Sequence, residues 1–356
     1  MNPSPTADSG ATPRGQHTSD YDYDLPADLI AQEPLAERSA SRLLVLERST
    51  GAISHRHFTD LPDLVTPADV LVLNASRVIP ARLAGARAHG GPAELLVVEQ
   101  RPDGDWLALG HPGGKLKVGR TVEIGPDSRV EIVEILGGGL RRIRFVGALD
   151  GAATLARYGL APLPPYIHHK PDAQDRERYQ TVYAEHDGSI AAPTAGLHFT
   201  TALLDRIRER GSAVVTLDLH VGLGTFKPVR VDDPARHPMH AERYTITAEA
   251  ARTINDRHAA GGRRWAVGTT TVRTLETVVD AADRVQPGNG STSLFIHPPY
   301  TFRAVEALVT NFHLPRSTLL MLVCAFGGYD AVMRAYAAAV REGYRFYSYG
   351  DAMAIV

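Results

Sequence analysis

Five short β-rich segments are crowded together in the first half of the chain, and this crowding limits what the chain can fold into. Glycine turns separate the segments, for example at Gly90-Gly91 and Gly137–Gly139. Strands this close together are typical of a small antiparallel barrel. The segments are residues 93–98, 106–109, 121–124, 129–135 and 141–146. We therefore predict a β-barrel domain over residues 78–164, which ends at a stiff proline-rich stretch.

The sequence on either side of this block alternates between helical and strand patterns. Residues 202–210, 248–258, 271–282 and 317–326 have helical spacing, and the short apolar runs between them indicate strands, the last at 344–349. Such alternation predicts a layered α/β domain. Because the barrel interrupts it, the predicted fold is a large mixed α/β domain, residues 21–77 plus 165–356, with an inserted small antiparallel β-barrel domain.

The composition narrows the classes of protein to which this chain can belong. Residues 1–20 are rich in Ser, Pro, Thr and Gly and predict a disordered tail without the apolar segment of a signal peptide. The longest apolar run, residues 319–326, is too short to span a bilayer. The single cysteine, Cys324, excludes an intrachain disulfide and fits a reducing cytoplasm. With a net charge of −2, binding to nucleic acid would need a local basic patch.

Polar loops follow several of the predicted strands. They are residues 191–198, 220–228, 268–271, 311–318 and 349–351. Ligands of open α/β sheets bind at the carboxyl ends of strands. We therefore expect these loops to form one pocket.

Common catalytic signatures do not fit the chain. Gly110–Lys115 lacks the spacing of a phosphate-binding P-loop, and no G-x-S-x-G elbow is present. His240-Ala-Glu242 matches half of a zinc deaminase motif, but the cysteine half cannot exist with one cysteine. We predict no metal site.

Taken together, the loops resemble one family closely, the S-adenosylmethionine:tRNA ribosyltransferase-isomerases of queuosine biosynthesis. The resemblance extends from about Tyr21 to the C-terminus. The segments that carry it are residues 73–83, 162–167, 178–183, 191–199, 219–229, 239–242, 267–276, 307–321 and 344–353.

The resemblance implies a transferase that is also an isomerase. The ribosyl part of S-adenosylmethionine, the donor substrate, would move onto a 7-aminomethyl-7-deazaguanine at the tRNA wobble position. Adenine and methionine would leave, and epoxyqueuosine would form. The family also implies a large α/β body with a β-barrel domain. From the sequence itself we predict a cytoplasmic location, no membrane partner and no obligate protein partner.

This chemistry requires a base near the acidified 5′ carbon and an acid for the departing adenine. Histidines and carboxylates suit both roles because their pKa values respond to their surroundings. The sequence leaves base and acid unassigned among the candidate catalytic residues, which are His198, His220, His240, His313, Glu242 and Asp351.

The predicted S-adenosylmethionine site contains small, hydroxyl and amide residues from the same loops. Thr269 and Thr270, at a helix N-terminus, would bind the methionine carboxylate. Arg273 would either pair with that carboxylate or form a salt bridge with Glu276. The full predicted set is Thr194, Gly196, Gly222, Gly224, Thr225, Phe226, Thr269, Thr270, Arg273 and Asn311.

Arg77 and Arg82, at the predicted domain junction, are the candidates for tRNA backbone contacts, with interdomain salt bridges as the alternative. Two other functions stay open at this stage. The acceptor could be a free 7-deazapurine, or the protein could be a non-catalytic RNA-binding module. Release of adenine from S-adenosylmethionine would exclude the module.

Overall fold

A computed structural model describes residues 14–88, 90–222, 224, 229 and 231–356. Its strands are β1 (Arg42–Leu46), β2 (Ile53–His57), β3 (Val70–Asn74), β4 (Ser76–Val78), β5 (Arg82–Arg87), β6 (Pro92–Gln100), β7 (Trp106–His111), β8 (Thr121–Gly125), β9 (Ser128–Gly137), β10 (Leu140–Gly147), β11 (His186–Ser189), β12 (Ala213–Leu219), β13 (Glu242–Ile246), β14 (Arg264–Val267), β15 (Gly288–Thr292), β16 (Ala307–Asn311) and β17 (Ala352–Ile355). Its α-helices are α1 (Leu61–Leu64), α2 (Gly151–Tyr158), α3 (Ala173–Arg178), α4 (Thr201–Glu209), α5 (Ala248–Ala259), α6 (Thr269–Val278), α7 (Thr318–Gly327) and α8 (Tyr329–Arg341).

A nine-stranded sheet forms the centre of the α/β body. Its order is β15, β13, β12, β3, β14, β16, β17, β1 and β2. The four central strands, β12, β3, β14 and β16, run parallel to one another. Their carboxyl ends therefore meet at one edge of the sheet. The mixed α/β class predicted from the sequence is confirmed.

The central strands are apolar because helices and loops cover both faces of the sheet. All five residues of β3 are buried, and their side chains alternate between two cores. Val70 and Val72 pack in the core that includes α5 to α8, whereas Leu71 and Leu73 pack with residues of α4 on the other face. This two-sided packing fixes the register of β3 and therefore the position of the loop that follows it.

Strands β5 to β10 close into an antiparallel barrel, one strand more than the five predicted. Its interior is filled by aliphatic side chains such as Leu95, Val130 and Ile143, and Leu155 of α2 packs against them. A separate two-stranded sheet pairs β4 with β11 in parallel.

Two predicted segments need correction. Thr18, placed in the tail, is buried, and its hydroxyl donates to the carbonyl of Val231 over 2.6 Å. Residues 14–20 are therefore packed on the body, and residues 1–13 lie outside the described part. The predicted last strand at 344–349 is also wrong. Strand β17 starts at Ala352, so Asp351 precedes a strand instead of following one.

Within the described residues, no single helix is long and apolar enough to cross a membrane. In the same part of the chain, α7 and α8 taken together, bent by 116°, meet the length and composition of such a span.

Candidate active site

A cavity opens at the edge of the sheet where the four parallel strands end. Its volume is about 950 Å³, counting the part that is open to solvent. The lining comes from the segments that follow β12, β14 and β16, together with Tyr179 and residues 165–166, 191–195 and 347–348. Thr194, Thr269, Thr270, Arg273 and Asn311 all line it. Half of the predicted S-adenosylmethionine site is thus brought together.

Asn74 joins three of the elements behind this cavity. Its Oδ1 accepts from the backbone N–H groups of Ser76 (3.1 Å) and Leu219 (3.0 Å). Its Nδ2 donates to the carbonyl of Leu219 (2.9 Å) and to the hydroxyl of Thr270 (3.3 Å). The fully buried amide therefore holds the ends of β3 and β12 and the start of α6 in fixed relation.

The N-terminus of α6 lies at the cavity without a side-chain cap. Gly268 precedes the helix with φ +88°, a conformation that favours glycine, and it offers no side-chain acceptor. The first N–H groups of a helix lack intrahelical partners and carry the positive end of the helix dipole. With Thr269 and Thr270 in the lining, this terminus is suited to an anionic group such as a carboxylate.

Arg273, one turn into α6, makes its side-chain contacts with other parts of the protein. Its guanidinium pairs with the buried carboxylate of Glu242, and its Nε donates to the carbonyl of Leu294 over 2.9 Å. The other Glu242 oxygen accepts from the backbone N–H of Gly222 over 2.9 Å. The alternative Arg273–Glu276 salt bridge is therefore wrong. Burial raises the pKa of Glu276, which accepts from backbone N–H groups near Ala304.

Asn311 has one unused hydrogen-bonding atom. Its Nδ2 donates to the carbonyl of Tyr347 (2.9 Å) and contacts Nε2 of His198 (3.3 Å), whereas its buried Oδ1 has no partner among the described residues. Tyr347 adopts φ +70°, which is strained for a bulky residue. Nδ1 of His198 lies 2.7 Å from the hydroxyl of Ser41, and burial lowers the pKa of His198 to about 4. His198 thus fixes Asn311 and does not line this cavity itself.

His313 lines the cavity and is also neutral. Its Nε2 lies 2.8 Å from the hydroxyl of Thr310. Burial lowers the pKa of the ring to about 3. A histidine in this state can take part in hydrogen bonds near neutral pH, but it does not carry a charge there.

His220 lies beside the cavity, one residue before Val221 in the lining. Its Nδ1 is 2.7 Å from the hydroxyl of Ser76, which is itself 2.7 Å from the hydroxyl of Ser189. Burial lowers the pKa of His220, opposed by the charge of Asp218. Nδ1 of His186 is 2.9 Å from the Asp218 carboxylate, so a second histidine lies in the same cluster.

The remaining predicted site residues have other surroundings. Both oxygens of Asp351 accept backbone N–H groups, from Arg42 and Arg345, each over 2.9 Å, and this assigns the carboxylate a structural role. Gly196 packs on the Tyr183 hydroxyl. His240 is exposed next to Gly224. The predicted binding residues Thr225 and Phe226 lie outside the described residues.

A second, wider cavity lies between the barrel and the α/β body. Its volume is about 1720 Å³ on the same measure, and its lining includes Arg38, Arg77, Trp106 and Arg176. Tyr179 lines both cavities, so they share a wall. Arg77 is partly exposed here and lies 3.7 Å from Asp187. Arg82, outside this lining, pairs with Glu94 on the neighbouring barrel strand and donates to the carbonyl of Leu163.

The sequence reasoning missed four residues at the site. Asn74 is the last residue of β3 and Ser76 begins β4, at the same strand edge as the loops that were singled out, so their position gave an available signal. Ser189 and Tyr347 gave no such signal. Ser189 acts through a contact between hydroxyl groups, and Tyr347 acts through its backbone carbonyl. Among the described residues, no three His, Cys, Asp or Glu side chains are placed to hold a metal ion.

Comparisons with known proteins match almost the whole chain. A family model described as "Queuosine biosynthesis protein" covers residues 18–355. The S-adenosylmethionine:tRNA ribosyltransferase-isomerase of Symbiobacterium thermophilum is 52% identical over 342 residues, covering 95% of this chain and 99% of that protein. Its namesake from Moorella thermoacetica is 52% identical over 343 residues, with the same coverage. The crystal structure of an S-adenosylmethionine tRNA ribosyltransferase from Thermotoga maritima has 39% identity and a TM-score of 0.55, covering 94% of this chain and 99% of that one.

Proposed function

This chain belongs to the queuosine biosynthesis protein family, and we propose that it transfers the ribosyl group of S-adenosylmethionine to tRNA and isomerises it. The observation that carries the proposal is the agreement between this membership and the cavity at the sheet edge. The uncapped N-terminus of α6 and the unpaired oxygen of Asn311 both belong to that cavity. The helix N-terminus suits an anion, and the Asn311 oxygen suits a hydrogen-bond donor. S-adenosylmethionine carries both kinds of group.

We propose that the methionine carboxylate of S-adenosylmethionine binds at Thr269 and Thr270. Backbone N–H groups and the dipole of α6 would hold it, since Arg273 is already paired with Glu242. Asn311 Oδ1 would accept from a ribose hydroxyl or from the amino group of adenine. The aromatic faces of Tyr166 and Tyr347, 4.7 Å apart between ring centres, are available to the sulfonium cation.

The acceptor that we propose is a 7-aminomethyl-7-deazaguanine at the wobble position of tRNA, and the proposed product is epoxyqueuosine. Adenine and methionine would leave in equal amounts. Of the candidate catalytic residues, His220 is the one best suited to meet the acceptor. Its neighbour Val221 lines the sheet-edge cavity. Strands β4 and β11 flank its ring, and their residues Val78 and Asp187 line the cleft beside the barrel. His220 therefore lies between the two cavities. The proposed role of His198 is to orient Asn311.

The cleft between barrel and body is the proposed tRNA site. Among the described residues, the hydrogen bonds of Arg38 go to the carbonyl groups of Glu177, Arg178 and Leu197. Arg77 lies 3.7 Å from the exposed carboxylate of Asp187 but is itself partly exposed, so both arginines would present positive charge to phosphates. We retain the proposal that residues 78–164 are an inserted domain, which would form one wall of this cleft. The proposed location, where tRNA is available, is the cytoplasm.

The test is a reaction with S-adenosylmethionine and a tRNA that carries the 7-aminomethyl-7-deazaguanine base. We expect adenine release and, by mass spectrometry, a matching gain of mass at the wobble nucleoside. If the free deazapurine were modified while the tRNA stayed unmodified, the alternative acceptor would be supported. No adenine release with either acceptor would overturn the proposed enzyme activity.

A further inference from the structure

A chain of hydrogen bonds runs through buried hydroxyl groups to the ring of His220. The backbone N–H of Val221 donates to the hydroxyl of Ser189 over 2.9 Å. The hydroxyls of Ser189 and Ser76 are 2.7 Å apart, and Ser76 is 2.7 Å from Nδ1 of His220. Both serines are fully buried. Their protons must therefore find acceptors within this chain of groups.

Counting the protons selects one direction for the chain. The Ser189 hydroxyl already accepts a hydrogen bond from the N–H of Val221. Among the described residues, the Ser76 hydroxyl is the one acceptor that the proton of the Ser189 hydroxyl can reach. Ser76 then accepts from Ser189 and has its own proton left to donate to Nδ1 of His220. The reverse direction, in which Nδ1–H donates to Ser76, leaves the Ser189 proton buried without an acceptor, which is unfavourable.

A neutral imidazole that accepts at Nδ1 carries its proton on Nε2. Because burial lowers the pKa of His220, the neutral form is the one present near pH 7. The described residues give Nε2 no hydrogen-bond partner, and this atom is not among the buried unpaired atoms. Its N–H is therefore free to meet a ligand.

From this geometry we propose that His220 acts in the reaction as a hydrogen-bond donor through Nε2, and that Ser76 and Ser189 are positioning residues that fix this tautomer. The proposal rests on the proposed function. Nε2–H would donate to an oxygen or nitrogen atom of the nucleoside or deazapurine on which negative charge develops. It departs from the sequence-based expectation, which left His220 equally open to the role of base.

The surroundings of the ring agree with this assignment. Asp218, which would stabilise a proton on His220, has one oxygen directed to His186 and makes no hydrogen bond to the ring of His220. Arg243 and His186 also face the ring, and both disfavour its charged form. Gly188 packs directly against the ring, because a Cβ at this position would lie 2.4 Å from Nδ1. The ring is therefore confined on the side that carries Nδ1.

The first experiment reads the tautomer without any substrate. The full-length protein, labelled with ¹⁵N in histidine, is studied by long-range ¹H–¹⁵N correlation at neutral pH, with His220 assigned by its loss in His220→Gln. We expect the pattern of the Nε2–H tautomer in the wild type and a mixture of tautomers in Ser76→Ala. An Nδ1–H pattern in the wild type would overturn the proposal.

The second experiment separates a donor from a base by kinetics. In His220→Gln the amide nitrogen can occupy the place of Nε2, whereas in His220→Asn it can only approach Nδ1, and neither amide is a base. We expect kcat within about 10-fold of wild type for Gln and a loss of about 10²–10³-fold for Asn. Equal losses in the two folded variants would contradict the donor role.

The positioning serines have their own readout. Ser76→Ala should lower kcat by about 10-fold with little change in KM, and Ser76→Thr, which keeps the hydroxyl, should restore it. A Ser76→Ala enzyme with wild-type kcat would overturn the positioning role. If the wild type lacked ribosyl transfer altogether, the proposed function would fail. The tautomer measurement needs no substrate, so it would still show whether Ser76 and Ser189 fix the Nε2–H form of His220.

Discussion

At the scale of single residues, Asn311 combines burial with an unsatisfied oxygen. Its orientation is set by the Tyr347 carbonyl and by His198, which leaves Oδ1 for a ligand. Buried acceptors without partners are rare in folded proteins, and those that occur call for an explanation. In this cavity a donor group of S-adenosylmethionine provides one.

Replacement of Asn311 by alanine should weaken S-adenosylmethionine binding by about 10-fold, the equivalent of one hydrogen bond. Isothermal titration calorimetry on the folded variant measures this affinity. The matched control is Asn289→Ala, since Asn289 is exposed on the edge strand β15 and should leave binding unchanged. Wild-type affinity in Asn311→Ala would remove Asn311 from the binding site.

The buried histidines make a second residue-scale prediction, on the pH dependence of stability. In the folded protein the pKa values of His198 and His313 are about 4 and about 3, against 6.5 for an ordinary histidine. Below pH 6.5 the unfolded chain therefore binds protons that the folded protein does not. The free energy of unfolding should fall as pH decreases from 6.5 to 4, by about 3 kcal/mol for His198.

Urea unfolding at a series of pH values measures this dependence. His198→Gln cannot take up that proton in either state, so its free energy of unfolding should fall less steeply over the same interval. Identical slopes for the variant and the wild type would show that His198 is not the group responsible.

At the scale of elements, the site depends on how strand ends are joined. Asn74 satisfies two backbone N–H groups and one carbonyl at the ends of β3 and β12. Its replacement by alanine leaves those groups buried and unpaired, at about 1–3 kcal/mol each. We expect Asn74→Ala to lower the free energy of unfolding by about 3 kcal/mol.

Urea unfolding again provides the measurement, read as a lower midpoint with an unchanged slope. Asn289→Ala, on the exposed edge strand, should stay close to wild type. An Asn74→Ala protein as stable as wild type would mean that the three elements hold their positions without this amide.

The short strand β11 packs against the ring of His220, and Gly188 allows this close approach because it has no side chain. Gly188→Ala would add a Cβ 2.4 Å from Nδ1 and would strain a φ of +152°. We expect kcat to fall by about 10²-fold, since the ring must move away from its hydrogen bond to Ser76.

Gly114→Ala is the matched control, because a Cβ there meets no atom within 4 Å. Single-turnover kinetics on both folded variants measures the effect. Equal activity in the two variants would contradict a fixed position for the His220 ring.

At the scale of the whole molecule, the barrel and the body face each other across a cleft that neither could form alone. We propose tRNA as its occupant, so a cation on the cleft wall should contribute to salt-dependent binding. Arg77→Ala should weaken tRNA binding and reduce the slope of log affinity against log salt by about 1. Filter binding at several salt concentrations measures the slope.

Arg208→Ala is the control for this prediction. Arg208 is an exposed arginine of α4 that pairs with Asp205 and does not line the cleft. Its slope should equal that of the wild type. An unchanged slope in Arg77→Ala would exclude a phosphate contact by Arg77.

What the sequence could predict followed from local patterns. Alternation of helix and strand gave the α/β class, and the polar loops at strand ends gave Thr194, Thr269, Thr270, Arg273 and Asn311, which do line one cavity. The resemblance to a family gave the reaction, and the comparisons support it. These inferences succeeded because strand periodicity and the position of a loop after a strand are properties of a short stretch of chain.

Only the tertiary structure decided which polar groups were left free. The partners of Arg273, Asp351 and Asn311 lie on segments 31, 309 and 36 residues away in sequence, so no local pattern reveals that the first two are occupied and that the Asn311 oxygen is not. The tautomer of His220 likewise depends on Ser76, 144 residues away. Hydrogen bonds and burial are set by neighbours in space, and a sequence specifies those neighbours only through the completed fold.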